Sequence, residues 1–178
     1  MNYNSMTLTE EKIKRIKVDS LYGKKKHFNA ADRKENYHYW IGVPLTVITI
    51  LTTTILFYVL TDGATNWIKY VPLALAFAAS FLSGFQTYFN FNKQVEGHRR
   101  VANKYLALLK RADRLQGYIK DKIITPEELF KQFEVIAFEA DEINKEAEPY
   151  PTSNSDYVKV KKGIESGEEE YTNKDLEL

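Results

Sequence analysis

Two long stretches without Asp, Glu, Lys or Arg constrain this chain more than any other feature: Tyr37–Leu60 and Tyr70–Phe91. A helix needs roughly 20 apolar residues to cross the hydrocarbon core of a bilayer, and both stretches are long enough. The mean hydropathy of the whole chain is only -0.42 because the other segments are rich in charge. The sequence therefore predicts an all-α membrane protein built on a two-span transmembrane helical hairpin. A hairpin buried inside a soluble protein is the alternative.

Basic, apolar and acidic segments divide the rest of the chain around these spans. The predicted segments are an N-terminal cytoplasmic helix (1–39), the first span (40–61), an external linker (62–70), the second span (71–92), a cytoplasmic helix that continues from the second span (93–121), an acidic amphipathic helix (126–148) and a flexible tail (149–178).

Basic residues flank the outer ends of both spans, whereas the linker between the spans is nearly neutral. Lys and Arg close to span ends favour the cytoplasmic side of a membrane, so we expect both termini to be cytoplasmic. Such clusters also bind anionic lipid headgroups. The candidate lipid-head contacts are Lys24, Lys25, Lys26, Arg99 and Arg100.

Apolar residues after the second span recur in alternating steps of four and three, the spacing of a packed helical seam. This candidate assembly seam consists of Val101, Tyr105, Leu108, Ala112, Leu115 and Ile119. A new helix start follows at Thr125–Glu128, with Thr as the N-cap and Pro in the first helical position. The acidic helix that begins there is predicted to pair with the basic helix as an antiparallel hairpin.

One stripe of the second span is small and polar where the remaining surface is bulky. Its candidate pore-lining or helix-packing residues are Ala76, Ser80, Ser83, Gly84, Thr87 and Asn90. Polar groups inside a bilayer must find partners or water. The stripe therefore indicates either close packing between helices or the lining of a pore that several copies form. The threonines of the first span, Thr46, Thr49 and Thr53, are instead expected to bond to carbonyls of their own helix.

The sequence offers little for catalysis or cofactor binding. It has no cysteine, and His27, His38 and His98 lack the four-residue spacing of helical metal ligands. No phosphate-binding loop or nucleophile elbow is present. We therefore expect no enzyme activity, no cofactor, no metal and no direct binding of nucleic acid.

Two runs next to the spans resemble a known family. One is Leu21–Ala31, and the other is Gly97–Leu106, which follows the second span with a small residue, a histidine and then an aromatic and a leucine. Together with the order of the helices, they resemble the SLATT family of two-span proteins from bacterial conflict systems. The resemblance covers about residues 8–148 and leaves the tail outside.

The resemblance implies an effector of the bacterial inner membrane that forms pores and aborts phage infection. Relatives are linked to nucleotide second-messenger synthases, to nucleotide-sensing SLOG domains or to reverse transcriptases. The resemblance thus implies a nucleotide signal or a partner protein, encoded nearby, as the trigger, and no agreed catalytic residues carry over.

These observations lead to the hypothesis of a homo-oligomeric, gated, pore-forming effector. The four-three spacing from Ala76 to Ile119 has one extra four-residue step near Gly97 and His98, and such a stutter locally unwinds a coiled coil. Gly97 and His98 are therefore the candidate gating hinge. The alternative is a non-catalytic membrane anchor or adaptor that recruits a cytosolic enzyme.

Overall fold

The computed structural model describes the backbone of residues 3–62 and 67–170, and all regular structure in those ranges is helical. The helices are α1 (Tyr3–Asp62), a 3-10 turn (Trp67–Tyr70), α2 (Val71–Phe89), α3 (Phe91–Lys120), α4 (Pro126–Ala147) and α5 (Asn154–Glu165). Residues 63–66 of the expected linker and 171–178 of the expected tail lie outside the described residues. The chain divides into two compact units: the hairpin, Asp32–Val95, and the bundle, Met1–Ala31 with Glu96–Leu178.

The hairpin contains both predicted spans. The most apolar window of the first span has 0% of its residues buried, and that of the second has 6%. A hairpin from a soluble core would bury these windows, whereas lipid-facing helices leave them uncovered by protein. The all-α, two-span fold is thereby confirmed.

The two spans pack through one face of each helix. The less exposed residues of α2 recur every three or four positions and are Val71, Pro72, Leu75, Ala78, Ala79, Leu82 and Gln86. The half-buried positions of the first span follow the same spacing: Ile41, Gly42, Leu45, Ile48, Thr52, Ile55 and Val59. A hydrogen bond joins Gln86 Nε2 and His38 Nδ1 at 3.1 Å. This polar contact fixes the register of the two helices near the end of the apolar region.

The second span does not run uninterrupted into the following helix. Asn90 adopts a left-handed conformation (φ 40°, ψ 56°) between α2 and α3, a conformation that Asn tolerates better than most residues. Its side-chain oxygen accepts a hydrogen bond from the Lys93 N–H at 3.4 Å. The side-chain amide of Gln94 donates a hydrogen bond to the Phe89 carbonyl at 2.6 Å. These bonds satisfy backbone groups that the break would leave without partners, so the continuous helix expected from the sequence is replaced by two helices that meet at Asn90.

In the bundle, α1 and α4 each pack antiparallel to α3 around the predicted seam. Two contacts show that α1 and α3 run in opposite directions: Lys17 pairs with Asp113, and His27, further along α1, bonds to His98, which comes earlier in α3. On the other side, Arg111 pairs with Glu139 of α4 and Lys104 pairs with Glu146. The predicted pairing of the acidic helix with the basic one is thus confirmed. The shared core consists of Ile13, Val101, Tyr105, Leu108, Ala112, Leu115, Leu129, Ile136 and Ile143.

Helix α4 begins where the sequence predicts. The Thr125 side chain accepts a hydrogen bond from the Glu128 N–H at 3.3 Å, and Pro126 occupies the first helical position. Thr at the N-cap satisfies one of the free N–H groups of the first turn, and Pro has no N–H to lose there.

A fifth helix occupies part of the segment that we expected to be flexible. Ser153 and Asp156 form a reciprocal capping box that starts α5. Val160 and the Asp156 side chain are buried, and the Tyr157 ring stacks on Tyr22 with ring centroids 6.0 Å apart. Contacts with α1 therefore order a helix whose own sequence is mostly polar.

Candidate functional site

The small-polar stripe of α2 lies on a separate face from the one that packs against the first span. At 100° per residue, the packing face, the stripe and a face rich in aromatic side chains are about 120° apart around the helix. All six predicted stripe residues, Ala76, Ser80, Ser83, Gly84, Thr87 and Asn90, are exposed in the single chain. A side chain added at Gly84 would meet nothing within 4 Å. The stripe is therefore not used to pack one span on the other.

The aromatic face carries the largest exposed side chains of α2. Phe77, Phe81 and Tyr88 are 79%, 69% and 83% exposed. Large apolar and aromatic side chains are suited to contact lipid tails and the membrane interface. The helix thus has one face for its partner span, one suited to lipid, and one whose small polar residues suit neither role.

The hydroxyl groups of the two spans differ in how they are satisfied. Thr46, Thr49 and Thr53 each donate to the carbonyl four residues earlier, at 2.8–3.0 Å, which confirms the expectation for the first span. On the stripe, Ser80 donates to the Ala76 carbonyl at 2.8 Å. For Ser83 and Thr87, no hydrogen bond to any described residue is present. Each of these two hydroxyls needs a partner or water within the bilayer.

Gly97 and His98, the candidate hinge, lie inside the bundle. Gly97 is buried within α3, and an added Cβ would clash with the Tyr150 ring. His98 is 1% exposed, and its ring centroid lies 5.7 Å from that of Tyr150. Gly97 thus permits the close approach of the aromatic ring, a packing role that accounts for a glycine here without a hinge.

Sequence spacing gave no hint that His27 and His98 meet. Their Nδ1 atoms are 3.0 Å apart, although the residues are 71 positions apart in the chain. Tyr105 covers the same place: its ring centroid is 5.9 Å from that of His27, and a Cβ at Gly23 would lie 2.9 Å from the Tyr105 ring. The only sequence signal was that each histidine has a glycine nearby, at Gly23 and Gly97.

Burial of the His27 ring lowers its pKa from 6.5 to about 4. The neighbouring His98 and Lys26 lower this pKa further, whereas Asp156 raises it. His27 is therefore neutral at pH 7. Across the described residues, no group of three His, Asp or Glu side chains is arranged to hold a metal ion.

The predicted lipid-head residues are mostly engaged within the bundle. Lys24 and Lys25 pair with Glu169 and Glu168, which follow α5. Arg100 donates to Glu146 at 2.7 Å. Hydrogen bonds from Lys104 and Arg100 hold the pKa of Glu146 below its usual value.

The predicted assembly seam is also occupied within one chain. Val101, Tyr105, Leu108, Ala112 and Leu115 are buried in the bundle core, and Ile119 packs against them. The seam therefore binds α1 and α4 of its own chain. Self-association through this surface would require the bundle to open.

An open cleft of about 450 Å³ lies between the end of α3 and the start of α4. Its floor includes Leu115 and Ile136, and Tyr118 and Arg114 stand at its edge. No carboxylate among the described residues pairs with Arg114. Arg111 and Glu128 also line the cleft. The cleft thus combines an apolar floor, an aromatic ring, two cationic side chains and one carboxylate.

We predict that Gly97→Ala destabilises the bundle by about 1–3 kcal/mol, because the new methyl group displaces the Tyr150 ring. Gly117→Ala is the matched control: it lies in the same helix, and a Cβ there meets nothing within 4 Å, so it should stabilise by up to about 1 kcal/mol. Thermal unfolding in detergent compares the variants. Gly97→Ala should cost clearly less in a Tyr150→Ala background, and an equal cost in both backgrounds would contradict the packing role.

We also predict a loss of stability in mild acid. Above pH 6.5, His27 is neutral in both the folded and the unfolded chain. As the pH falls, the unfolded chain takes up a proton near pH 6.5, whereas the folded chain does so only near pH 4. The free energy of unfolding should therefore fall by up to about 3 kcal/mol between these two values.

Unfolding as a function of pH checks this contribution of His27. His27→Gln should flatten the slope between pH 6.5 and 4. A slope unchanged by His27→Gln would contradict the assignment.

Comparison with known families identifies the family of this chain. The model of the SMODS and SLOG-associating 2TM effector domain family 4 matches residues 9–177. This match includes α5 and the acidic residues after it, so the expectation that the tail lies outside the family region was wrong. No curated protein and no solved structure matches the chain. Since the match covers nearly the whole length, the chain belongs to the SMODS and SLOG-associating two-transmembrane (SLATT) effector domains and is a membrane effector of conflict systems.

Proposed function

We propose that this protein acts as a homo-oligomeric pore in the bacterial inner membrane, with the small-polar stripe of α2 facing the opening. The observation that carries the proposal is the stripe itself. It is exposed in the single chain, it lies apart from the packing face, and its Ser83 and Thr87 hydroxyls have no partner among the described residues.

The energetics favour water or a second copy next to this stripe over lipid. A hydroxyl left without a hydrogen bond in an apolar medium costs about 1–3 kcal/mol by protein mutational data. Each hydrogen bond between membrane helices returns roughly 0.6–2 kcal/mol. Two unsatisfied hydroxyls on adjacent turns thus give each chain a reason to associate along the stripe or to hold water there.

Assembly in this proposal uses the spans and leaves the bundle closed. The apolar seam of α3 is buried against α1 and α4, whereas the stripe and the aromatic face of α2 are available. Copies that associate through the hairpins need not disrupt the packing between the two spans of one chain.

The backbone break at Asn90 offers a second possible position for gating besides Gly97 and His98. Asn90 lies at the end of the stripe, and one backbone conformation there separates α2 from α3. A change at this residue would redirect the stripe without disturbing the buried core around Gly97.

The trigger in this proposal is a nucleotide signal or a partner protein. The family description associates these domains with SMODS and SLOG. A nucleotide carries both a planar ring and negative charge. The cleft presents Tyr118 to such a ring and Arg114 to such a charge, and the Glu128 carboxylate also lines it. A synthase or a reverse transcriptase encoded nearby would supply or sense the signal. In this proposal both termini are cytoplasmic.

The test uses Ser83→Phe in the full chain. We expect it to abolish the release of ions from vesicles, and depolarisation in cells, while chemical crosslinking still captures oligomers, because the ring would fill the opening. Ala74→Phe is the matched control: Ala74 is also small and exposed, but it lies with the aromatic face. Its leakage should equal that of the wild type.

Two results would contradict pore lining by the stripe. Leakage from Ser83→Phe equal to that of the wild type would remove Ser83 from the lining. Loss of oligomers together with leakage would mean that the stripe packs helices against each other, the other interpretation of its composition.

A membrane anchor that recruits a cytosolic enzyme is the second candidate. The acidic surface of α4 is engaged in part within the chain, since Glu139 and Glu146 pair with α3. Two exposed aromatic side chains of α4 favour recruitment of a partner through apolar contact: Phe130 is 52% and Phe138 is 66% exposed. Exposed apolar clusters on a protein surface mark contact sites for partners.

The anchor function predicts a stable complex with a protein encoded nearby and no depolarisation on overproduction. Phe130→Ser with Phe138→Ser should lower recovery of that protein in affinity purification by at least about tenfold, as for loss of interface hot spots. Val158→Ser, which alters an exposed residue of α5, should leave recovery unchanged. Depolarisation by the chain alone would contradict this function.

A further inference from the structure

A cluster of ion pairs joins α1 to the segment after α5. Lys24 Nζ is 2.8 Å from Glu169 Oε1, and Lys25 Nζ is 3.3 Å from the same oxygen. Lys25 Nζ is also 2.7 Å from Glu168 Oε2. Two ammonium groups thus converge on one anionic oxygen, and a second carboxylate completes the cluster.

This acidic segment covers both lysines. Their side chains are only 12% and 11% exposed, whereas the Glu168 side chain is 63% exposed. Burial raises the pKa of Glu169, but hydrogen bonds from Lys24 and Lys25 outweigh it, and the pKa lies below its usual value. Glu169 is therefore charged at neutral pH, and the two carboxylates occupy the place where an external anion would bind.

The fold delivers the acidic segment to this position. The capping box of α5 and the bond from Asn29 Nδ2 to the Asp156 carbonyl, at 3.4 Å, fix the start of the helix on α1. At its end, Gly167 has a φ of +81°, which turns the chain so that Glu168 bonds to the Gly163 carbonyl. A Cβ at Gly163 would lie 2.1 Å from Glu168 Oε2. Glycine at both positions allows the carboxylates to reach the lysines.

We propose that Lys24 and Lys25 form a docking surface for the phosphate headgroups of anionic phospholipids, and that Glu168 and Glu169 occupy the same surface when such lipids are absent. The lysines lie about a dozen residues before the charge-free stretch that begins at Tyr37, within the run of residues next to a span in which Lys and Arg contribute to the positive-inside bias. Basic segments next to a span bind anionic headgroups. Glu168 is mostly exposed, and an ion pair with an exposed partner is weak, so headgroups present at high local density compete with this carboxylate for the lysines. The exchange releases α5 from α1.

The experiment compares the full chain in nanodiscs of neutral phosphatidylcholine and in nanodiscs enriched in phosphatidylglycerol. Hydrogen exchange reports the release of α5, and acylation read by mass spectrometry reports the access to Lys24 and Lys25. In anionic nanodiscs, we expect exchange in α5 to rise by roughly three- to tenfold, the order that weak ion pairs account for, while the lysines stay protected by headgroups.

Charge variants separate the two occupants of the surface. Glu168→Gln with Glu169→Gln should raise both α5 exchange and lysine acylation in neutral nanodiscs, and anionic lipid should restore protection of the lysines alone. Glu134→Gln with Asp141→Asn removes the same charge from exposed positions of α4 and should behave as the wild type. Lys24→Gln with Lys25→Gln should abolish the dependence of α5 exchange on lipid composition.

Two outcomes would overturn the proposal. One is equal α5 exchange and lysine acylation in both lipid compositions, for the wild type and for the Glu168→Gln, Glu169→Gln variant. The other is release of α5 in neutral nanodiscs by inorganic pyrophosphate, which would assign the surface to a soluble anion. Because neither readout depends on ion leakage, this test does not depend on whether the chain forms a pore.

Discussion

The close approach of α1 to α3 determines the arrangement of the bundle. Gly23 leaves room for the Tyr105 ring, and Gly97 leaves room for the Tyr150 ring, so the helices and the chain after α4 come together around His27 and His98. With larger residues at these glycines, the aromatic rings would have to move, and the histidines would lose their contact. The position of α5 depends on the same contacts, because Asp156 lies near His27 and its carbonyl bonds to Asn29.

Charge and apolar surface are distributed differently in the two units. In the bundle, much of the basic surface is matched by carboxylates of the same chain, from Glu139 and Glu146 on α4 and from Glu168 and Glu169 after α5. In the hairpin, one face of α2 packs on the first span, and two faces remain available. The carboxylates of the bundle thus match much of its own basic surface, whereas in the hairpin the Ser83 and Thr87 hydroxyls are left to the surroundings.

The features that a bilayer or a local motif imposes could be predicted from the sequence. The spans follow from the length and composition that lipid demands, and the start of α4 follows from Thr125 and Pro126. The alternating steps of four and three identified the seam from Val101 to Leu115, but they did not show that this surface packs within one chain. Spacing reports which residues share a face of a helix and is silent about what covers that face.

Features that depend on contacts between distant segments were missed for physical reasons. His27 meets His98 only because of the register between α1 and α3. Asn90 seemed to be one more polar residue of the stripe, although Asn is also among the residues that tolerate a left-handed backbone. For α5, the Ser153 and Asp156 pair was a usable signal of a helix start. The helix is nevertheless ordered by contacts with α1, which its polar sequence does not predict.

The contact between the two buried histidines also limits their protonation. Only one hydrogen fits between Nδ1 atoms 3.0 Å apart, so one ring donates it and the other must accept it. The accepting ring has a bare Nδ1 and therefore carries its hydrogen on Nε2 and is neutral. When both rings are neutral they are thus different tautomers, and the pair can hold at most one positive charge while this contact lasts.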